Sequence, residues 1–152
     1  MSLVIATGSN LGNSLEHLKN AKISLCQHFE LVAESRIYTS KAVDYLNQPD
    51  FYNQVLEFKV PPFDRYKAFE IMNQIEQKLG RTRDILRGPR TIDIDMLFWG
   101  KTIDQSEQLT LPHPRWLQRS FVVRPLKELP FFKVIEKSYN IPDNFLIEAT
   151  PL

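Results

Sequence analysis

A chain of 152 residues, 43% apolar and 24% charged, is long enough and apolar enough to bury a core, which excludes an intrinsically disordered segment. Its formal charge of +1 supplies no global attraction for nucleic acid or anionic membrane, so any anion site has to be local. A lone cysteine, Cys26, excludes an intrachain disulfide and suits a reducing compartment. With no basic leader and no apolar run near ~20 residues, the expectation is a soluble, cytoplasmic protein with neither membrane nor nucleic-acid partners.

Residues 3–6 form a short apolar run that ends at Thr7-Gly8-Ser9-Asn10, a strand and a turn. Asn13 reads as a helix N-cap with Glu16 three residues on, followed by an apolar stripe of Leu15, Leu18, Ala21 and Leu25. Residues 31–39 read as one extended stretch, and residues 41–50 as a polar loop. Tyr52, Leu56, Phe58 and Val60 then mark a further strand by their even spacing. Asp64 caps a second helix with a stripe of Phe69, Met72, Ile75 and Leu79, closed by Gly80. A basic loop over 81–89 leads into a strand over 91–99, and the remainder reads as turn-rich with a short helix near 125–129. The order β-α-β-β-α-β predicts one domain over 1–152. Its class is α+β and ferredoxin-like: a mostly antiparallel sheet, two helices on one face and a C-terminal extension.

In Thr91-Ile-Asp-Ile-Asp-Met-Leu-Phe98, Asp93 and Asp95 share one face of a strand while Ile92, Ile94, Met96 and Phe98 take the other. Like charges on one strand face repel, and a bound cation resolves that repulsion; paired carboxylates suit Mg²⁺ completed by water and phosphate oxygens. The alternative is a solvated strand face. Just upstream, Arg81, Arg83, Arg87 and Arg90 fall within ten residues. Guanidinium forks match phosphate oxygens, and cations beside a carboxylate-held metal are the equipment of phosphoryl transfer. His113, between Pro112 and Pro114, is either a phosphate donor or a turn histidine. Phe51 and Asn53 open a strand, where a ring can stack on a heterocycle and an amide can read its edge, or can simply end the sheet. Trp116 reads as a lid or packing residue.

These segments resemble the 6-hydroxymethyl-7,8-dihydropterin pyrophosphokinases of folate biosynthesis. The resemblance runs through Gly8-Ser-Asn-Leu11, Gln48-Pro-Asp-Phe-Tyr-Asn53, Ile75-Glu76, Gly80-Arg-Thr-Arg83, Gly88-Pro-Arg-Thr-Ile-Asp-Ile-Asp95, Leu111-Pro-His113 and Arg119-Ser-Phe121. It implies an enzyme with ATP as co-substrate, acting as a monomer on a pterin alcohol. Asp93 and Asp95 would hold two Mg²⁺ ions, and Arg81 and Arg90 would stabilise the transferring group. ATP would meet Arg83, Arg87, Thr110, His113 and Arg119. The pterin would meet Thr39, Asn53, Phe51 and Phe121, and Glu76 would be a supporting residue that orients an arginine. The chain departs from the family at Arg87, where an aromatic often stands, at Ser40-Lys41, which replace a proline-rich stretch, and at Pro114. A ferredoxin-like RNA-binding module and a metal phosphodiesterase fit less well: the first wants a basic, aromatic sheet face, and the second more metal ligands than two aspartates.

Overall fold

The computed structural model describes residues 1–42, 47–80 and 91–152. Strand β1 (Ser2–Ser9) leads to helix α1 (Ser14–Cys26), then to β2 (Leu31–Glu34), β3 (Tyr38–Ser40) and β4 (Phe51–Lys59). Helix α2 (Arg65–Lys78) and strand β5 (Asp93–Trp99) follow. The C-terminal part contributes β6 (Asp104–Gln105), β7 (Thr110–Leu111), α3 (Ser120–Leu126), α4 (Phe132–Ile135) and β8 (Thr150–Pro151). The main sheet runs β5-β1-β4-β3-β8, with β2 also on β4, and every pairing is antiparallel.

The two long helices begin where their caps dictate. Asn13 Oδ1 accepts from the Glu16 amide at 3.2 Å, and Asp64 Oδ1 accepts from the Lys67 amide at 2.9 Å, each satisfying one of the N–H groups orphaned at a helix start. At the far end of α2, Gly80 turns the chain with φ of 84°, a conformation that costs a glycine little. Leu18, Ala21 and Leu25 of α1 and Ala68, Met72 and Ile75 of α2 pack on Leu3, Ile5, Leu56, Phe58, Ile94 and Met96. Leu15 does not join the stripe; it is 44% exposed, and Ser14 is buried in its place, bonded to Ser9 Oγ at 3.1 Å.

Three further expectations change. The extended stretch over 31–39 is two strands, because Ser35 spends its groups on β4: its amide donates to Val55 O, its Oγ accepts from the Val55 amide and its carbonyl accepts from Gln54 Nε2. Phe98 does not share the face of Ile94 and Met96. The register against β1 skips Leu97, a bulge, and Phe98 passes to the opposite face. That face is the largest departure, for helices lie on both sides of the sheet. Val4, Val55, Leu97 and Phe98 form a second core with Val122, Val123 and Leu126 of α3 and with Ile135. Trp116 is packing, not a lid: its ring is 5.1 Å from Phe98 and 5.2 Å from Tyr139, near-perpendicular to both. Among the described residues no helix is long and apolar enough to cross a membrane.

Candidate active site

Cross-strand pairing lines up one row on the sheet face that carries the second core. Asp93 pairs with Gly8, Gly8 with Asn53, and Asn53 with Tyr38. Directly paired residues project to the same side, so the carboxylate of β5 and the amide of β4 share a surface across the glycine of β1. A Cβ on Gly8 would stand 2.7 Å from Asn53 Oδ1, which makes the missing side chain the condition for the amide's position. Asn53 is 7% exposed, and its Nδ2 is buried without a hydrogen-bond partner. An orphaned buried donor costs free energy, and a ligand acceptor there would recover it.

Asp95 pairs with Ala6 in the next row, so the two aspartates lie on one face as their spacing predicts, and both are partly exposed. The strand between them is fixed from α2, where the buried carboxylate of Glu76 accepts the Ile94 amide at 2.5 Å. Glu76 thus secures the backbone link joining Asp93 to Asp95. Among the described residues no group of three or more His, Cys, Asp or Glu side chains converges. The oxygen ligands of two partly exposed aspartates on one strand face fit Mg²⁺, which keeps several waters and takes phosphate oxygens.

The segment after β7 docks on the outer edge of β5. The His113 amide donates to Leu97 O at 2.9 Å, at the bulge, so a histidine far along the chain stands beside the aspartate strand. His113 Nδ1 accepts from the Arg115 amide at 3.3 Å, which leaves Nε2 as the ring donor. Burial, then the charges of Arg119 and Arg115, hold the imidazole down to a pKa of about 4. It is therefore neutral at pH 7 and can donate a hydrogen bond from Nε2. Arg119 lies 5.5 Å over the ring of Phe121, at the start of α3.

The sign of that shift gives a stability prediction. The unfolded histidine titrates near ~6.5, above the folded value, so the unfolded chain takes up the proton first as pH falls. The contribution of the neutral ring is present above that pH and is lost progressively toward pH 4. Between pH 7 and pH 4.5 the protein should lose roughly 2 kcal/mol more stability than a His113→Asn variant. Denaturant melts of both proteins at the two pH values measure this, and parallel losses would remove His113 as the source.

Not every predicted residue joins these groups. Thr39 pairs with Tyr52 and so faces away from Asn53, with its hydroxyl 3.5 Å from that of Thr150. Thr110 is exposed in the separate β6–β7 ribbon. Phe51 shares the face of Asn53, and Phe121 packs against the second core on that same side. Arg81, Arg83, Arg87 and Arg90 lie outside the described residues. Nothing in the local sequence marks Asn10 or Arg115. Asn10, 2% exposed, donates through Nδ2 to Gln48 Oε1 at 2.8 Å and to Pro49 O at 3.0 Å, bracing the approach to Phe51 and Asn53. Its buried place follows from the turn after β1, which periodicity does not read.

A family model described as 7,8-dihydro-6-hydroxymethylpterin-pyrophosphokinase (HPPK) matches residues 4–130. A 2-amino-4-hydroxy-6-hydroxymethyldihydropteridine pyrophosphokinase of Bacillus subtilis is 39% identical over 127 residues, covering 82% of this chain and 75% of that protein. A folic acid synthesis protein of Pneumocystis carinii is 39% identical over 130 residues, and the match spans 84% of this chain but 17% of that longer protein. A crystal structure of Plasmodium falciparum HPPK-DHPS has a TM-score of 0.60, covering 92% of this chain and 45% of that one; at 13% identity it speaks for the fold alone. With that model matching most of its length, this chain belongs to the 7,8-dihydro-6-hydroxymethylpterin-pyrophosphokinase family.

Proposed function

We propose that the chain transfers pyrophosphate from ATP to the hydroxymethyl group of 6-hydroxymethyl-7,8-dihydropterin, releasing AMP, as a step in folate biosynthesis. Family membership supports the reaction. The observation that carries it to residues is the row of Asp93, Gly8 and Asn53, which sets a carboxylate and an unsatisfied amide on one surface. In this reading Asn53 orients the pterin edge while Phe51 and Phe121 flank its ring. The hydroxymethyl oxygen attacks the β-phosphorus, the bond from that phosphorus to the bridging oxygen breaks, AMP leaves with that oxygen, and the hydroxyl proton passes to solvent.

Asp93 and Asp95 would hold Mg²⁺, two ions in all, which supply charge neutralisation to the phosphates when bound. His113 donates from Nε2, and Arg119 meets phosphate charge with its guanidinium. Arg83, Arg87 and Thr110 would add contacts to ATP, with Arg81 and Arg90 bearing charge on the transferring group. Thr39 would serve the pterin through its backbone. A ferredoxin-like topology in one domain, action as a cytoplasmic monomer and indifference to nucleic acid belong to the same proposal. The test is to incubate the protein with ATP, Mg²⁺ and the pterin alcohol and to identify the nucleotide formed. AMP with a diphosphorylated pterin is the expected outcome; ADP would mean a simple kinase and would overturn the assignment.

A further inference from the structure

The site proposed above has two walls. One is the sheet row of Asp93, Gly8 and Asn53; the other is α3, which begins at Arg119 and carries Phe121. Val122, Val123 and Leu126 of α3 share the second core with Val55 of β4. Apolar contact draws the helix onto the sheet, but it is non-directional and lets the helix slide or turn there. With seven residues α3 has about two turns, and Pro125 removes one of its backbone donors. Directional bonds have to set its place.

Glu128, just past the end of α3, supplies them. Its amide donates to Pro125 O at 3.0 Å, so its backbone continues the last turn of the helix. Its carboxylate takes three donors from β3 and the residues leading into it. Oε1 accepts from the Arg36 amide at 2.8 Å, while Oε2 accepts from Arg36 Nε at 3.0 Å and from the Tyr38 hydroxyl. Tyr38 is 5% exposed and pairs with Asn53, which makes it the next member of the row. One carboxylate therefore bonds the helix of Phe121 to the neighbour of Asn53. The start of α3 is tied to the same strand: Ser120 Oγ donates to Ile147 O at 2.6 Å, and Thr150 pairs with Thr39. Phe121 lies between the two ties.

Partly exposed ion pairs contribute little to global stability, and the Arg36 side chain is 64% exposed. Position explains three converging donors better than stability does. We infer that Glu128 is a positioning residue for ring binding, which through Tyr38 fixes the gap between Asn53 and Phe121 before a ligand arrives. The inference rests on the pterin reading above. Walls set in advance spare the ordering cost that a loose helix would add to binding.

Calorimetry on the full chain reads the effect, with 6-hydroxymethyl-7,8-dihydropterin and separately with a non-hydrolysable ATP analogue and Mg²⁺, alongside steady-state kinetics. Tyr38→Phe, which keeps the ring and loses the hydroxyl, should weaken pterin binding roughly threefold to tenfold, the range of one hydrogen bond. Glu128→Ala should weaken it at least as much, and Glu128→Gln, which keeps one acceptor oxygen, should fall between Glu128→Ala and the wild type. KM for the pterin should rise while kcat at saturating pterin stays within about twofold, and the analogue's affinity should not change. In a Phe121→Ala background, Tyr38→Phe should cost less than about twofold more, because the wall it positions is gone. Unchanged pterin affinity in Tyr38→Phe, or its full loss repeated in the Phe121→Ala background, overturns the positioning role and leaves the enzymatic reading standing. A wild-type protein that binds the analogue but not the pterin overturns both.

Discussion

Replacing Asp95 with Asn should lower kcat by about three orders of magnitude or more, near 4 kcal/mol of transition-state stabilisation, and should leave the fold in place. The carboxylate sits on β5 beside Asp93, on a strand secured to β1 through its pairing and to α2 through Glu76. Asn keeps the shape and the partial exposure but removes the charge that, in the proposed reaction, would hold a divalent ion. Asp93→Asn should behave similarly. Single-turnover assays at saturating Mg²⁺ separate this loss from weakened ATP binding. Turnover close to wild type in either variant would remove that aspartate from the mechanism.

The second large effect belongs to Asn53, and here the loss should fall on one ligand. Asn53→Ala should weaken pterin binding by about a hundredfold, since a site built to hydrogen-bond a ligand edge depends on each polar partner, while ATP affinity changes little. In the free protein Nδ2 is buried and unpaired, so any fall in melting temperature should reflect lost packing and Oδ1, with no Nδ2 hydrogen bond broken. Calorimetry with each ligand separately measures the contrast. Equal losses for pterin and ATP would make Asn53 a structural residue of the β4 edge.

How much of this was legible in the sequence depended on the range of the interaction involved. Asn13 and Asp64 announce helices because a cap bonds an amide three residues away, and Gly80 announces an end because the αL turn favours its type. The aspartate pair was legible for the same reason: period two is a property of the strand itself. Ser35 was not, since its interruption of an extended stretch depends on Val55 and Gln54 across the sheet. The bulge that turns Phe98 to the other face is likewise set by pairing with β1. Which face Thr39 takes is set by register as well: its pairing with Tyr52 turns its side chain away from Asn53, and Ser40 takes the surface beside Asn53. The second core escaped notice because its helix α3 is short and contains Pro125, so its periodicity is weak. The neutral state of His113 arises from burial and from two arginines, which no local pattern encodes.

The glycine between Asn53 and Asp93 makes the sheet a caliper. Its jaws are the amide on β4 and the carboxylate on β5, and the gap between them is two strand spacings, about 9–10 Å. Backbone hydrogen bonds of fixed length span that gap, so it cannot widen to suit a longer molecule as a loop can. In the proposed reaction, a ring gripped at one jaw would have to deliver its reactive oxygen within reach of the other, which would make the length of the arm on the ring a selected quantity. Side chains at the jaws would then choose which heterocycle is held, and the interstrand repeat of the backbone how far its arm extends. Gly8 is the point where that gauge is spoiled most easily, because a single methyl there would meet the amide at 2.7 Å and shift one jaw.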